Sequence, residues 1–213
     1  MALDDLNLKV EAGECFGFIG PNGAGKTTTI KILATLLKPS SGEARVCGFT
    51  VGWQNTHIRP LIGYVPDFLG AYDDMLVREY LQFFASCYGI TGSRRTQVVD
   101  DALSLTDLGG KAEAPISGLS RGMSQRLAVA RVLLHDPEVL LLDEPASGLD
   151  PRARVEMREL LRTLRDLGKT ILISSHILHE LAELCTSVGI LERGKLAVSY
   201  THLTLPTNGL GGG

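Results

Sequence analysis

Short runs of apolar residues along the chain predict a series of buried strands. The run CFGFIG (15–20) ends at a glycine-rich stretch and is typical of a strand inside a parallel sheet. The segment 3–10 alternates instead, with Leu6, Leu8 and Val10 on one side, and this pattern also predicts a strand. The other predicted strands lie at 43–49, 61–66, 139–143, 170–174 and 187–192.

Apolar residues at helical spacing predict helices between most of these strands. In the stretch 70–118, for example, Val77, Leu81 and Phe84 share one face of a predicted helix. Strands that alternate with helices predict an α/β domain with a largely parallel sheet, into which a helical segment of about 70–135 is inserted. The predicted helices are 26–37, two within 70–118, one from Gly118 to about His135, 151–167 and 177–185.

Composition and charge narrow the class of protein. The 213 residues are 44% hydrophobic and 21% charged, with a net charge of −3, which is an ordinary globular mixture. Lys and Arg form no dense block, so nucleic acid is not expected as a partner. The cysteines form no CxxC pair, which favours reduced thiols over a zinc site. No apolar run approaches ~18 residues, and Asp4 and Asp5 stand where a secretion signal needs basic residues, so neither a membrane span nor a signal peptide is expected.

The segment GPNGAGKT (20–27) matches the pattern G-x-x-x-x-G-K-[ST] between a predicted strand and a predicted helix. In that position glycines let consecutive N–H groups point at phosphate oxygens, and the helix N-terminus adds partial positive charge. A lysine here reaches the outer phosphates, and the following hydroxyl can bind Mg²⁺. A glycine-rich turn with a chance lysine is the alternative that this context disfavours. The predicted phosphate-binding residues are Gly20, Pro21, Asn22, Gly23, Ala24, Gly25, Lys26, Thr27 and Thr28.

Two further groups of polar residues follow predicted strands. Asp143 and Glu144 come at the carboxyl end of VLLLD, where ligands bind in open parallel sheets. Asp143 is expected to hold Mg²⁺, and Glu144 to act as a general base toward a water molecule. His176 follows the next strand and could contact the terminal phosphate. Taken alone, the carboxylates could equally be a solvated strand end, and the histidine a surface or core residue.

Together with SGLD (147–150) and the LS-x-G stretch at 119–122, these motifs resemble the ATP-binding subunit of an ABC transporter, over residues 1 to about 197. The sequence around these motifs, such as LLDEPASGLDPRAR (141–154), is most similar to the bacterial drug-exporter type. The resemblance implies a P-loop NTPase fold and an ATPase that uses ATP and Mg²⁺ to power export of a drug-like or hydrophobic substrate. It also implies a position on the cytoplasmic face of the membrane, a membrane-spanning permease subunit, and an ATP-dependent homodimer or a paired second ATPase subunit.

Within that resemblance, Ser120 and Gly122 are implied to contact the nucleotide held by the other subunit of a head-to-tail dimer. Asp150 is implied to belong to the nucleotide site, although it could also simply cap the helix that follows. The sequence departs from the family pattern LSGGQ, because Arg121 stands for a Gly and Met123 for a Gln.

A second departure is Asp67, which stands where the family has a Gln that senses Mg²⁺. A carboxylate can bind Mg²⁺ or its water, but it adds negative charge near a triphosphate. Asp67 is therefore expected to be a metal-site residue. The apolar side chains after it, Phe68, Leu69 and Tyr72, are either a docking surface for a membrane subunit or core.

Both ends of the chain depart from the family pattern. The chain is expected to lack the family's first strand and an aromatic residue that stacks on adenine. Residues 198–213 are expected to be a non-native or unstructured tail, because VSYTHLTLPT (198–207) resembles a translated sequencing adapter and fits no family element.

The alternative function is a soluble ABC ATPase that acts on DNA or ribosomes. The DNA type has long coiled-coil insertions, and none separates Thr27 from Leu119. The ribosomal type has tandem cassettes, and this chain contains one.

Overall fold

The computed structural model describes residues 2–68, 70 and 74–201. Its strands are β1 (Cys15–Ile19), β2 (Arg45–Val46), β3 (Phe49–Thr50), β4 (Ile62–Val65), β5 (Val139–Asp143), β6 (Thr170–Ser175), β7 (Ser187–Glu192) and β8 (Lys195–Thr201). Its α-helices are α1 (Lys26–Leu33), α2 (Asn55–Ile58), α3 (Val77–Cys87), α4 (Gly92–Leu105), α5 (Arg121–Leu133), α6 (Pro151–Asp166) and α7 (Leu178–Ala182). No helix in these ranges combines the length and apolarity that crossing a membrane requires.

Six strands form one sheet in the order β4-β5-β6-β1-β7-β8. All neighbours pair in parallel except β7 and β8, which are antiparallel. The prediction of an α/β fold with a largely parallel sheet is therefore confirmed. Helices α3, α4 and α5 lie between β4 and β5 along the chain, and β2 and β3 form a separate hairpin.

The sheet separates two hydrophobic cores. Successive residues of a strand point to opposite faces, and accordingly Cys15 belongs to one core while Phe16 and Phe18 belong to the other. In β5, Leu140 and Leu142 likewise lie in the first core and Leu141 in the second. A sheet buried on both faces needs apolar residues at every position. This explains why continuous apolar runs correctly predicted its inner strands.

The parallel register aligns the carboxyl ends of three strands. Ile19 of β1 pairs with Ser175 of β6, and Asp143 of β5 pairs with Ser174 of β6. The residues that follow these ends are therefore brought to the same edge of the sheet. This edge carries the motifs found in the sequence.

The strand predicted at 3–10 is wrong, because this segment pairs with no strand. Its apolar residues pack one-sidedly on the second core, which produces alternation without a ladder of hydrogen bonds. Asp5 has φ of 53°, which interrupts an extended conformation, and Asp4 N–H donates a hydrogen bond to Gly194 O at 2.9 Å. Helix α1 also ends at Leu33 instead of residue 37, because the chain turns at Thr35 (φ 61°).

The strand β8 was not predicted, and it extends into the segment expected to be unstructured. Arg193 and Gly194 both have positive φ, of 49° and 82°, as a two-residue hairpin turn of type I′ requires. This turn returns the chain along β7, and 198–201 form part of the strand. The unstructured alternative is therefore wrong for these four residues, whereas a non-native tail over 198–213 stays a prediction. Residues 202–213 lie outside the described part of the chain, as do Leu69 and Tyr72.

Candidate functional site

An open cleft lies at the edge of the sheet where β1, β5 and β6 end. Loops after all three strands contribute to it, and so does the loop after β4. Six of the residues predicted for phosphate, metal and catalysis line this cleft. Among the described residues, the cleft is lined by Asn22, Thr27, Asp67, Asp143, Glu144, Ser147 and His176.

The phosphate loop, residues 20–27, curves tightly between β1 and α1. Gly23 and Gly25 have φ of 81° and 111°, in the region that favours glycine. Gly20 is needed for a different reason, since a Cβ there would lie 2.3 Å from Leu191 O of β7. The loop therefore depends both on local backbone freedom and on close packing against the neighbouring strand.

Lys26 holds a buried positive charge inside this loop. Only 4% of the residue is exposed. Its Nζ donates hydrogen bonds to Gly20 O at 2.7 Å and Pro21 O at 3.3 Å, and lies 3.3 Å from Glu144 Oε1. A buried charge needs such partners because desolvation is costly. The ammonium group is thus positioned to meet an anion that enters the loop.

Asp143 is held by two hydroxyl groups. Thr27 Oγ1 donates to its Oδ1 at 3.0 Å, and Ser174 Oγ donates to the same oxygen at 2.8 Å. Burial raises the pKa of the nearby Tyr64 hydroxyl, and the negative charge of Asp143 raises it further. Sequence reasoning missed Ser174. Ser174 could have been found from its position beside Asp143 in the neighbouring parallel strand. That position becomes apparent only when the register of the two strands is known.

Glu144 lies between Lys26 and His176. Its Oε2 is 2.9 Å from His176 Nδ1, while its other oxygen contacts the lysine. The backbone of Glu144 has φ of 50°, and its N–H donates to Ser174 Oγ at 3.0 Å. A positive φ at a non-glycine residue costs of order 1–3 kcal/mol and is common at functional sites. The carboxylate is therefore held toward the cleft with a defined direction.

The oxygen atoms at the cleft fit a magnesium ion. Thr27 offers a hydroxyl and Asp143 a carboxylate, and the carboxylate of Asp67 also lines the cleft. Within the described ranges, no three His, Cys, Asp or Glu side chains gather into a metal-binding group. Mg²⁺ is usually held by one or two carboxylates and completes its shell with water and phosphate oxygens. The few protein oxygens here match that requirement.

Asp67 lies at the cleft, and its side chain is 55% exposed. Its Oδ1 is 3.8 Å from Arg121 Nη2. The next residue, Phe68, is 81% exposed, so it is a surface residue and not part of the core. This exposure leaves the docking interpretation of Phe68 open.

Ser120 and Asp150 cap helices in this chain. Ser120 Oγ accepts a hydrogen bond from Met123 N–H at 3.3 Å, and Asp150 Oδ1 accepts one from Ala153 N–H at 2.9 Å. Gly122 is buried, and a Cβ there would lie 2.7 Å from Ala153 Cβ, so α5 approaches α6 closely at this point. The capping alternative is confirmed for Asp150, and Ser120 caps α5 in the same way. None of the three lines the cleft among the described residues.

Comparison with known sequences gives a consistent result. Residues 3–147 match the family described as "ABC transporter". The "Nod factor export ATP-binding protein I" of Burkholderia pseudomallei (strain K96243) is 44% identical over 195 residues, which are 92% of this chain and 64% of that protein. The protein of the same name from Cupriavidus metallidurans is 39% identical, over 95% of this chain and 67% of its own length. The chain thus spans about two thirds of the length of these relatives.

Solved structures of similar fold agree with the sequence comparison. A dimeric ATP-binding cassette bound to ADP and phosphate after hydrolysis has a TM-score of 0.85 and 25% identity, covering 96% of this chain and 92% of that one. A component of an ABC transporter complex from Clostridium perfringens has a TM-score of 0.87 and 30% identity, covering 94% of this chain and 82% of that one.

Proposed function

The chain belongs to the ABC transporter family, and on that premise we propose that it is an ATP-binding and ATP-hydrolysing subunit that powers a membrane exporter. The observation that carries this proposal is the convergence of Lys26, Thr27, Asp143, Glu144 and His176 on one cleft. A single family motif could occur in an inactive protein. The joint geometry supplies an anion site, metal ligands and a base within reach of one another.

The phosphate loop binds the triphosphate in this proposal. The first N–H groups of α1 have no partner within the helix, and with Lys26 they can donate to phosphate oxygens. Thr27 and Asp143, with Asp67 nearby, would hold Mg²⁺. When bound, that ion neutralises charge on the phosphate oxygens. The hydroxyl bonds from Thr27 and Ser174 keep the carboxylate of Asp143 in place for this role.

Glu144 takes the proton from the attacking water. The water oxygen forms a bond to the terminal phosphorus, the bond to the bridging oxygen breaks, and ADP leaves with that oxygen. His176 contacts Glu144 through Nδ1 at 2.9 Å and so orients the base. The contact expected between His176 and the terminal phosphate remains part of the proposal.

The proposed assembly is a dimer in which Ser120 and Gly122 of each subunit face the nucleotide of the other, with Asp150 near the interface. The dimeric cassette among the similar structures supports a dimer. A membrane-spanning permease partner and a place on the cytoplasmic face of the membrane follow from the transporter role. The expected division of the chain, a domain over 1–197 with a helical insertion at about 70–135, is also proposed on this basis.

Export is favoured over the soluble alternative by the names of the relatives, which describe Nod factor export. The drug-like or hydrophobic cargo expected from the sequence is a narrower proposal. A Nod factor is a second cargo to test beside it. Both require the permease, so the function of this chain is tested first at the ATP site.

The experiment measures phosphate release by the purified chain with MgATP, and binding of a fluorescent ATP analogue. Lys26→Ala should weaken binding by about tenfold to a hundredfold, since a bond to a charged group contributes roughly 1.5–3 kcal/mol. Lys31→Ala, which removes a lysine from the last turn of the same helix, should bind normally. Unchanged binding by Lys26→Ala would contradict the assignment of the phosphate site.

A further inference from the structure

Two side chains of helix α5, one turn apart, reach the same residue of the cleft. Gln125 is 3% exposed, and its Nε2 donates a hydrogen bond of 2.6 Å to Asp67 O. Arg121 lies four positions earlier, on the same face of the helix, and its Nη2 is 3.8 Å from Asp67 Oδ1. The first contact fixes the backbone of Asp67, and the second places a positive charge beside its carboxylate.

Arg121 also lies against the loop between β5 and α6. A Cβ added at Gly148 would be 2.8 Å from the Cζ of Arg121, and Gly148 has φ of 66°. A side chain at that position would therefore collide with the guanidinium group and strain the backbone. The guanidinium group therefore lies close to both the backbone of Gly148 and the carboxylate of Asp67.

The three carboxylates of the cleft differ in the structural elements that supply their hydrogen-bond or ion-pair partners. Asp143 is bound by the hydroxyls of Thr27 and Ser174, and Glu144 by Lys26 and His176. Asp67 has its described ion-pair partner on α5. Arg121 and Asp67 are also both positions at which the sequence departs from the family pattern. The two departures are in contact.

We propose that Arg121 is a positioning residue that supplies the counter-charge for Asp67. A third carboxylate beside an anion site repels a triphosphate. Arg121 offsets that repulsion and draws the carboxylate toward α5. This inference rests on the proposed function, because it takes MgATP as the ligand of the cleft.

The expected effect is modest. The side chains of Arg121 and Asp67 are 56% and 55% exposed, and exposed ion pairs are weak and screened by salt. We expect Arg121→Gly to raise the KM for MgATP by roughly twofold to fivefold at about 0.1 M salt, with little change in kcat. At about 1 M salt the increase should largely disappear.

The test is a double-mutant cycle of the wild type, Arg121→Gly, Asp67→Gln and the double variant. When Gln occupies position 67, loss of Arg121 should change KM by less than about 1.5-fold, because there is no carboxylate left to neutralise. Arg152→Gly is the matched control. It removes an arginine whose side chain is 89% exposed from the first turn of α6, and it should leave KM unchanged.

An equal rise in KM in both backgrounds, or one that salt does not reduce, would overturn the proposal and indicate a direct action of Arg121 on nucleotide or on helix packing. A wild type that releases no phosphate from MgATP would instead refute the proposed function. In that case the wild type and the same three variants are unfolded with urea in the absence of nucleotide. A salt-dependent coupling between the two positions supports the pair, and additive changes refute it.

Discussion

At the scale of single residues, Glu144 is constrained by three neighbours. Its backbone is held by Ser174, and its two carboxylate oxygens contact Lys26 and His176 separately. An amide of the same shape could keep the position of this side chain, but it cannot accept a proton from water. A substitution of Glu144 by an amide should therefore retain nucleotide binding and lose ATP turnover.

Glu144→Gln should keep affinity for the ATP analogue within a few-fold and lose at least about a hundredfold in turnover, because general-base catalysis contributes roughly 10²–10⁴. Phosphate release and equilibrium binding measure the two effects. Size-exclusion chromatography should show that the variant accumulates as an ATP-bound dimer. Glu138→Gln, just before β5 at its opposite end, is the control. Normal phosphate release by Glu144→Gln would remove Glu144 from its assigned role.

At the scale of elements, Arg126 links α5 to the segment after α4 and to α6 by hydrogen bonds and ion pairs. Its side chain is 8% exposed. Nη1 donates to Thr106 O at 3.2 Å and to Asp107 Oδ2 at 3.1 Å, just beyond α4, and Nη2 lies 3.4 Å from Glu156 Oε2 of α6. Since α5 and α6 also touch at Gly122, this arginine helps to set the relative position of two helices that begin near the candidate site.

Arg126→Met should lower the free energy of unfolding by about 1–3 kcal/mol, because it leaves the buried carbonyl of Thr106 without this donor. The range is modest because Asp107 is largely exposed and can be solvated. Urea denaturation measures the change. Arg152→Met is a matched control, since Arg152 pairs with the same Glu156 but is exposed, and it should change stability by less than about 0.5 kcal/mol. Equal losses in the two variants would contradict the assignment.

At the scale of the whole molecule, His135 connects the inserted helices to the edge of the sheet. Its ring stacks on Tyr88 with centroids 4.2 Å apart, and its Nε2 is 3.0 Å from Ile62 O of β4. Burial is the main cause that lowers the pKa of His135 below its ordinary value of 6.5. The neutral ring, which can donate from Nε2 to the carbonyl, is therefore favoured in the folded protein.

This lowered pKa predicts a dependence of stability on pH. In the unfolded chain His135 has its ordinary pKa, so at a pH between the two pKa values the unfolded chain binds more protons than the folded protein does. The free energy of unfolding therefore falls as the pH drops below about 6.5. His135→Gln keeps a donor but cannot titrate, and it should lose less unfolding free energy than the wild type between about pH 7.5 and pH 5.5. Urea unfolding of both proteins at the two pH values measures the difference. Equal losses would show that His135 does not contribute.

Local patterns predicted much of this molecule. The apolar runs of β1, β5 and β6 identified strands because these residues are buried on both faces, and the residues that follow them predicted the candidate site because each motif is contiguous. The strand prediction for 3–10 was wrong because alternating apolar and polar residues indicate burial on one side, not hydrogen-bond pairing with another strand. The strand β8 was missed because it depends on the turn at Arg193 and Gly194.

The sequence by itself determined which chemical groups follow β1, β5 and β6 and that these three strands are buried. Only the tertiary structure decided that Ser174 holds Asp143, that Gly122 lies against Ala153, and that Arg121 faces Asp67. The physical reason is the range of the interaction. Local conformational preferences and burial patterns act within a few residues, whereas these contacts join residues 31 to 54 positions apart, whose distance depends on strand register and helix packing.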